Sequence, residues 1–181
     1  DPESVRNKIT SNTTAILGVH LWGRVAPVEE LRQIAKQYNL KLLFDAAHAF
    51  GCSHNSTMVG NFGDCEVFSF HATKFFNTFE GGAVLTNDDQ LAEKVRLMRN
   101  FGFEGMDNVV HLGINGKMTE ISAAMGLVNI NSIKDVINTN QQNYFAYKKE
   151  IDKIKNITLF QINQKESNNY QYIVLELNGN L

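Results

Sequence analysis

"LKLLFDAAHAFG" occupies residues 40–51, and the way its apolar run ends decides the fold. From Leu40 to Phe44 the stretch is apolar but for Lys41, and then an aspartate, Asp45, stops it. A strand this apolar suits a parallel sheet covered on both faces, because each of its sides must meet a buried layer. A second such run, "TTAILGVHL" (13–21), lies upstream. Between the two stands "PVEELRQIAKQYN" (27–39), in which Val28, Leu31, Ile34, Ala35 and Tyr38 recur at helical spacing behind an acidic first turn. Strand, helix and strand joined by short links make a βαβ unit, so the chain is read as α/β with a mostly parallel sheet flanked by helices.

Outward from that unit the pattern continues. "DPESVRNKIT" reads as a capped helical turn, "CEVFSF" (65–70) as a third strand and "GGAVLTN" (81–87) as a fourth. "DDQLAEKVRLMRN" is a helix capped by Asp88, with Leu91, Val95 and Met98 on one face. A glycine-spotted loop leads to "TEISAAMGLVNI", a small-residue helix, and helical spacing then holds from Ile133 to Lys155. "ITLFQ" and "YQYIVLEL" are expected to be strands of another sheet. The domain boundary therefore falls in or before the long helix.

Composition narrows the function classes. With 43% hydrophobic and 20% charged residues the chain is of the water-soluble globular class. A net charge of −2 and the absence of a basic stripe argue against nucleic acid as a partner. No run approaches the roughly 20 apolar residues that cross a bilayer. Cys52 and Cys65, with no CxxC spacing, fit a reducing, cytoplasmic setting. His48, Cys52, His54, Cys65 and His71 fall within 24 residues, but none forms the close ligand pair of a zinc knuckle, so no metal is expected.

Ligands of open α/β sheets gather outside the carboxyl ends of the parallel strands. Two costly residues stand there: Asp45 after "KLLF", and Lys74 in "SFHATKFFNTFEGG" (69–82). Asp45 could be a helix cap or structural acceptor, and Lys74 could snorkel to the surface. Alternatively, the Lys74 amine is a chemical tool that needs a dry setting. His20 and Trp22, in "GVHLWG", could line a pocket or pack the core at a strand end.

"VHLWG", "DAAHAFG", "GDCEVFSFHATK", "EGGAVLTN" and "GINGKMTEISAAMGL" follow one another in this order. Together they resemble the DegT/DnrJ/EryC1/StrS family of sugar aminotransferases, fold-type-I enzymes that use pyridoxal 5′-phosphate (PLP). The resemblance implies that Lys74 forms the aldimine with PLP and later carries a proton, and that Asp45 pairs with the pyridine nitrogen. It further implies His48 near the cofactor's 3-oxygen, though a histidine capping the sheet edge is the alternative. Ser69 would contact the phosphate, and Asn115 would reach the phosphate of a second subunit, making a homodimer with shared sites. Dehydratases of the family typically carry histidine in place of the lysine, so Lys74 points to transamination. The implied substrate is a nucleotide-linked keto-sugar, with wording closest to the members acting at C4 of dTDP-4-keto-6-deoxyhexoses, and the implied donor is L-glutamate. On this likeness residues 1–130 are part of the large PLP-binding domain, with about four of its seven strands. Residues 131–181 are the linking helix and the start of the small C-terminal domain. The phosphate-holding turn and the ring that stacks on the pyridine are then expected outside this stretch, and the isolated chain would be a non-catalytic fragment or scaffold.

Overall fold

A computed structural model describes residues 1–179. The last two positions of the expected 131–181 segment lie outside the described residues. Helix α1 (Pro2–Lys8) starts where the Asp1 carboxylate accepts from the N–H groups of Glu3 and Ser4. Strand β1 (Ala15–Val19) leads through a 3₁₀ turn (Leu21–Gly23) to α2 (Val28–Tyr38), which Asn39 ends in the left-handed conformation, and then to β2 (Lys41–Asp45). A small hairpin, β3 (Ser53–His54) and β4 (Thr57–Met58), precedes β5 (Cys65–Ser69) and β6 (Gly82–Leu85). Helix α3 (Asp89–Arg99) is capped by the Asp88 carboxylate, as its sequence predicts, and a second hairpin follows, β7 (Phe103–Glu104) and β8 (Asn108–Val109). Helices α4 (Glu120–Asn131) and α5 (Ile133–Ile151) lead to β9 (Ile157–Leu159) and β10 (Leu175–Leu177).

The main sheet has the order β1-β2-β5-β6; the first three strands are parallel and β6 runs antiparallel to β5. Alternation sorts the side chains onto two faces. Ile16, Leu42, Phe44 and Phe68 point to one face and meet Val28, Leu31, Ile34 and Ala35 of α2 in a single buried cluster. Burying each of those large aliphatic side chains is worth about 1.5–3 kcal/mol. Gly18 lets the layers approach, since a Cβ there would stand 2.5 Å from the Phe44 ring. Tyr38, expected on the same stripe, is exposed at the end of α2.

The other face differs from expectation. Among the described residues it is largely open: Leu17 is 67% and Val67 44% exposed, beside Val19 and Val84, and Val67 and Val84 line a cavity together with Val95 and Met98 of α3. The strands are apolar on both sides as their sequence says, but only the α2 side is matched by a layer of this chain. Helix α4 is in the same position, with Ile121 73% and Leu127 70% exposed. Apolar helices without a polar face belong inside larger assemblies.

The C-terminal part has its own buried cluster of Tyr144, Leu159 and Tyr170, into which Ile137, Ile151, Ile162 and Ile173 pack. Strands β9 and β10 pair antiparallel there, in a sheet separate from the main one as expected. The expected helix to Lys155 stops at Ile151, and the expected strand from Tyr170 begins only at Leu175. Among the described residues no helix is long and apolar enough to cross a membrane.

Candidate active site

Strand register brings the candidate residues to one end of the sheet. Val19 pairs with Asp45 and Asp45 with Val67, and Ser69 stands one strand over, two residues beyond Val67. Since Phe44 and Phe68 face the core, Asp45 and Ser69 face the open side. Both therefore stand at the carboxyl ends of adjacent parallel strands, where α/β sheets hold ligands. One Asp45 oxygen accepts from the Ala47 N–H at 2.9 Å, so the structural-acceptor reading holds for that oxygen. The Ser69 hydroxyl oxygen accepts from the His71 N–H at 3.3 Å.

Lys74 lies in a loop whose neck is closed by two backbone bonds, Phe70 N–H to Gly81 C=O at 2.8 Å and Thr78 N–H to Phe70 C=O at 2.9 Å. A side-chain bond from Asn129 of α4 to the Asn77 carbonyl, 2.8 Å, ties the loop to that helix. The phenylalanines that flank Lys74 in sequence serve as the loop's floor. Phe76 stacks on Phe50 with centroids 4.7 Å apart and meets Phe70 edge-on at 5.1 Å. Lys74 itself is half-buried.

His48 links the two charged candidates. Burial first, and then the Lys74 ammonium, push its imidazole below the usual histidine range, while the Asp45 carboxylate pulls the other way. Its Nδ1 accepts from the Trp22 N–H at 3.4 Å, which leaves the proton of the neutral ring on Nε2. Tyr172 packs against the ring with centroids 4.6 Å apart.

Asn115 is not brought to this cluster. It bridges to Asn100 beyond the end of α3, with its neighbours bonded to Met98 and Arg99. His20 belongs to the core rather than a pocket: it is fully buried, stacks on Phe44 at 4.5 Å and bonds to Glu66 at 3.2 Å. Trp22 is partly exposed, in a left-handed backbone conformation. Among the described residues no three His, Cys, Asp or Glu side chains converge as for a metal ion.

A sequence profile described as the DegT/DnrJ/EryC1/StrS aminotransferase family matches residues 1–180. The chain belongs to this family. As a family member it is 36% identical over 168 residues to a dTDP-4-amino-4,6-dideoxy-D-glucose transaminase of Shigella dysenteriae, covering 93% of this chain and 46% of that protein. A GDP-perosamine synthase of Escherichia coli O157:H7 is 37% identical over 157 residues, 83% of this chain and 42% of that one. Among solved structures, DesI in the presence of its TDP-sugar product superposes with a TM-score of 0.92 at 42% identity, over 98% of this chain and 45% of its own. Helicobacter pylori PseC, an aminotransferase involved in the biosynthesis of pseudoaminic acid, gives a TM-score of 0.91 at 29% identity, over 98% of this chain and 49% of its own. The family member described here thus spans about half the length of its curated relatives.

The donor set fits PLP: a primary amine and a carboxylate at a strand end, both acting on a histidine held below its usual pKa, and a hydroxyl next to a backbone N–H at the end of the adjacent strand. Sequence reasoning missed the residues that brace this set from the far end of the chain. Asn169, almost fully buried, donates to the carbonyls of His48 at 2.9 Å and Phe50 at 3.0 Å. Asn168 donates to Gly23 C=O at 2.9 Å, beside Trp22. The one hint was the amide-rich "NNYQY" at 168–172 inside an apolar strand pattern.

Proposed function

We propose that the complete protein is a PLP-dependent aminotransferase. It moves an amino group, with L-glutamate as donor, onto a keto-sugar linked to a nucleotide, a dTDP-4-keto-6-deoxyhexose. The observation that carries this reading is the Asp45 carboxylate at the carboxyl end of a parallel strand, with Lys74 in the loop beyond the neighbouring strand, and the charges of both acting on His48. The transaminase named for the dTDP-linked 4-amino sugar and the DesI structure support the substrate class.

Bound PLP supplies an aldehyde and an electron-withdrawing ring. Lys74 would hold it through its amine and would then move a proton between neighbouring carbon atoms, work worth about 10²–10⁴-fold in rate for a positioned acid–base group. Asp45 would hold a proton on the ring nitrogen, its carboxylate kept aimed by the bond from Ala47 N–H. Ser69 would donate to the phosphate, and His48, whose Nδ1 accepts from Trp22 N–H, would offer its Nε2–H to an oxygen on the ring. Asn115, remote from this cluster, serves the site of a partner copy in a homodimer. Residues 131–181 form the linking helix and the beginning of a second, smaller domain. The uncovered sheet face supports assigning activity to the protein in which that face is covered, not to these 181 residues alone. The nucleotide sugar and two free cysteines are suited to the cytoplasm.

Borohydride reduction of the complete protein with PLP, followed by peptide mapping, tests the reading. A pyridoxyl group on Lys74 is expected. A label on other lysines only, or none, would sink it.

A further inference from the structure

We propose that Gln171 is a positioning residue for Lys74, acting by clasping the backbone on both sides of it. Its side-chain amide reaches across 96 residues of sequence to accept from the Phe75 N–H at 3.2 Å, while its NH₂ donates to the Thr73 C=O at 3.3 Å. The proposal rests on the aminotransferase reading.

The argument is an inventory of backbone groups. Four polar main-chain groups surround the Lys74 Cα. The Lys74 N–H donates to His71 C=O at 2.9 Å, and the Lys74 C=O accepts from the Asn77 side chain at 3.2 Å. Both of these bonds are local and travel with the turn. The two remaining groups, Thr73 C=O and Phe75 N–H, are the ones Gln171 takes, and it ties the turn to a distant segment at the lysine itself, whereas the bond from Asn129 of α4 holds the turn at Asn77, three residues on. No ladder exists to hold this stretch, because it lies beyond the end of β5 and outside any helix.

Gln171 is itself anchored. Its N–H donates to the Asn169 side-chain oxygen at 3.1 Å, and Asn169 grips the His48 and Phe50 carbonyls. The next residue, Tyr172, lies against the His48 ring. One short segment thus sets the position of the lysine's backbone and the histidine's ring relative to each other. A lysine that binds a group and then moves a proton at a neighbouring atom needs its Cα held to about half an ångström.

The test uses the complete protein with Gln171→Met, of the same length but without hydrogen bonds, and Gln171→Glu, which keeps an acceptor for Phe75 and has no donor for Thr73. Amide hydrogen exchange without cofactor reads the clasp directly. In Gln171→Met the Phe75 amide should exchange roughly fivefold to tenfold faster, the loss of one net hydrogen bond. Amides of Phe44 and Phe68 in the sheet should be unchanged. Borohydride trapping of PLP on Lys74 should slow by a similar factor, with Gln171→Glu protecting Phe75 and trapping at an intermediate rate. Unchanged exchange at Phe75 overturns the clasp. Faster exchange with unchanged trapping overturns the positioning role and leaves Gln171 structural. Should Gln171→Met loosen the sheet amides as well, the Gln171→Glu result decides by the same criteria. Absence of trapping in the parent protein would instead refute the aminotransferase reading and this role with it, while Phe75 exchange would still decide whether the clasp exists.

Discussion

Replacing Glu66 should destabilise this protein more than its place in an apolar strand suggests. Its carboxylate is fully buried in β5 and accepts from the His20 Nε2–H at 3.2 Å and from the Phe62 N–H. The His20 Nδ1 accepts from the Ala26 N–H at 3.0 Å, so the ring proton must sit on Nε2, facing Glu66. Alanine at position 66 leaves two buried donors without an acceptor, at about 1–3 kcal/mol each, so about 2–6 kcal/mol before the cavity is counted. Relief from desolvating the carboxylate offsets part of this, so we expect a loss near 4 kcal/mol, a large fraction of a typical domain's stability. Glu66→Gln keeps the volume and one carbonyl oxygen, so about half that loss is expected. Urea unfolding followed by the fluorescence of Trp22, the sole tryptophan and close in sequence to His20, measures both. A loss under about 1 kcal/mol for Glu66→Ala, or equal losses for the two variants, would refute the reasoning, because it would mean that neither donor depends on the carboxylate.

Other consequences are open to direct measurement. His48 titrates below the usual histidine range, so it should be neutral at pH 7; Lys74→Met should raise its midpoint and Asp45→Asn lower it further, read from the imidazole proton signals in NMR. Glu166 lies below its ordinary carboxyl range because it accepts from Ser53 Oγ and from the Ser56 and Asn55 N–H groups. Its stabilisation is therefore present above the unfolded value of about 4.3 and lost as pH falls through the folded one. Acid should release the 166–172 segment early, an effect Glu166→Gln removes, as hydrogen exchange at Ser56 would register. Burial pushes the Cys52 thiol up to about 11, so alkylation at pH 8 should spare it until the chain unfolds, whereas half-buried Cys65 reacts first by mass mapping.

Local sequence determined the elements that depend on neighbouring residues: α2 from its apolar spacing, α3 from its Asp88 cap, and β1, β2 and β5 from their apolar runs. Asp45 was legible because a polar residue directly after an apolar strand stands at the carboxyl edge of the sheet, and Lys74 because it follows just beyond the next apolar strand, whereas Ser69 was singled out only by the family resemblance. Long-range partners had no such local signal. Nothing near Glu66 announces His20, 46 residues away, and nothing near Lys74 announces Gln171. Amides in a stretch such as "NNYQY" read as loop or weak strand until the fold shows which backbone groups they satisfy. The cover on the sheet was misjudged for a related reason: an apolar strand face demands a covering layer, but it does not say that the same stretch of chain supplies it. Sequence thus determined which groups must be buried or bonded, and the tertiary structure alone decided which distant groups meet them.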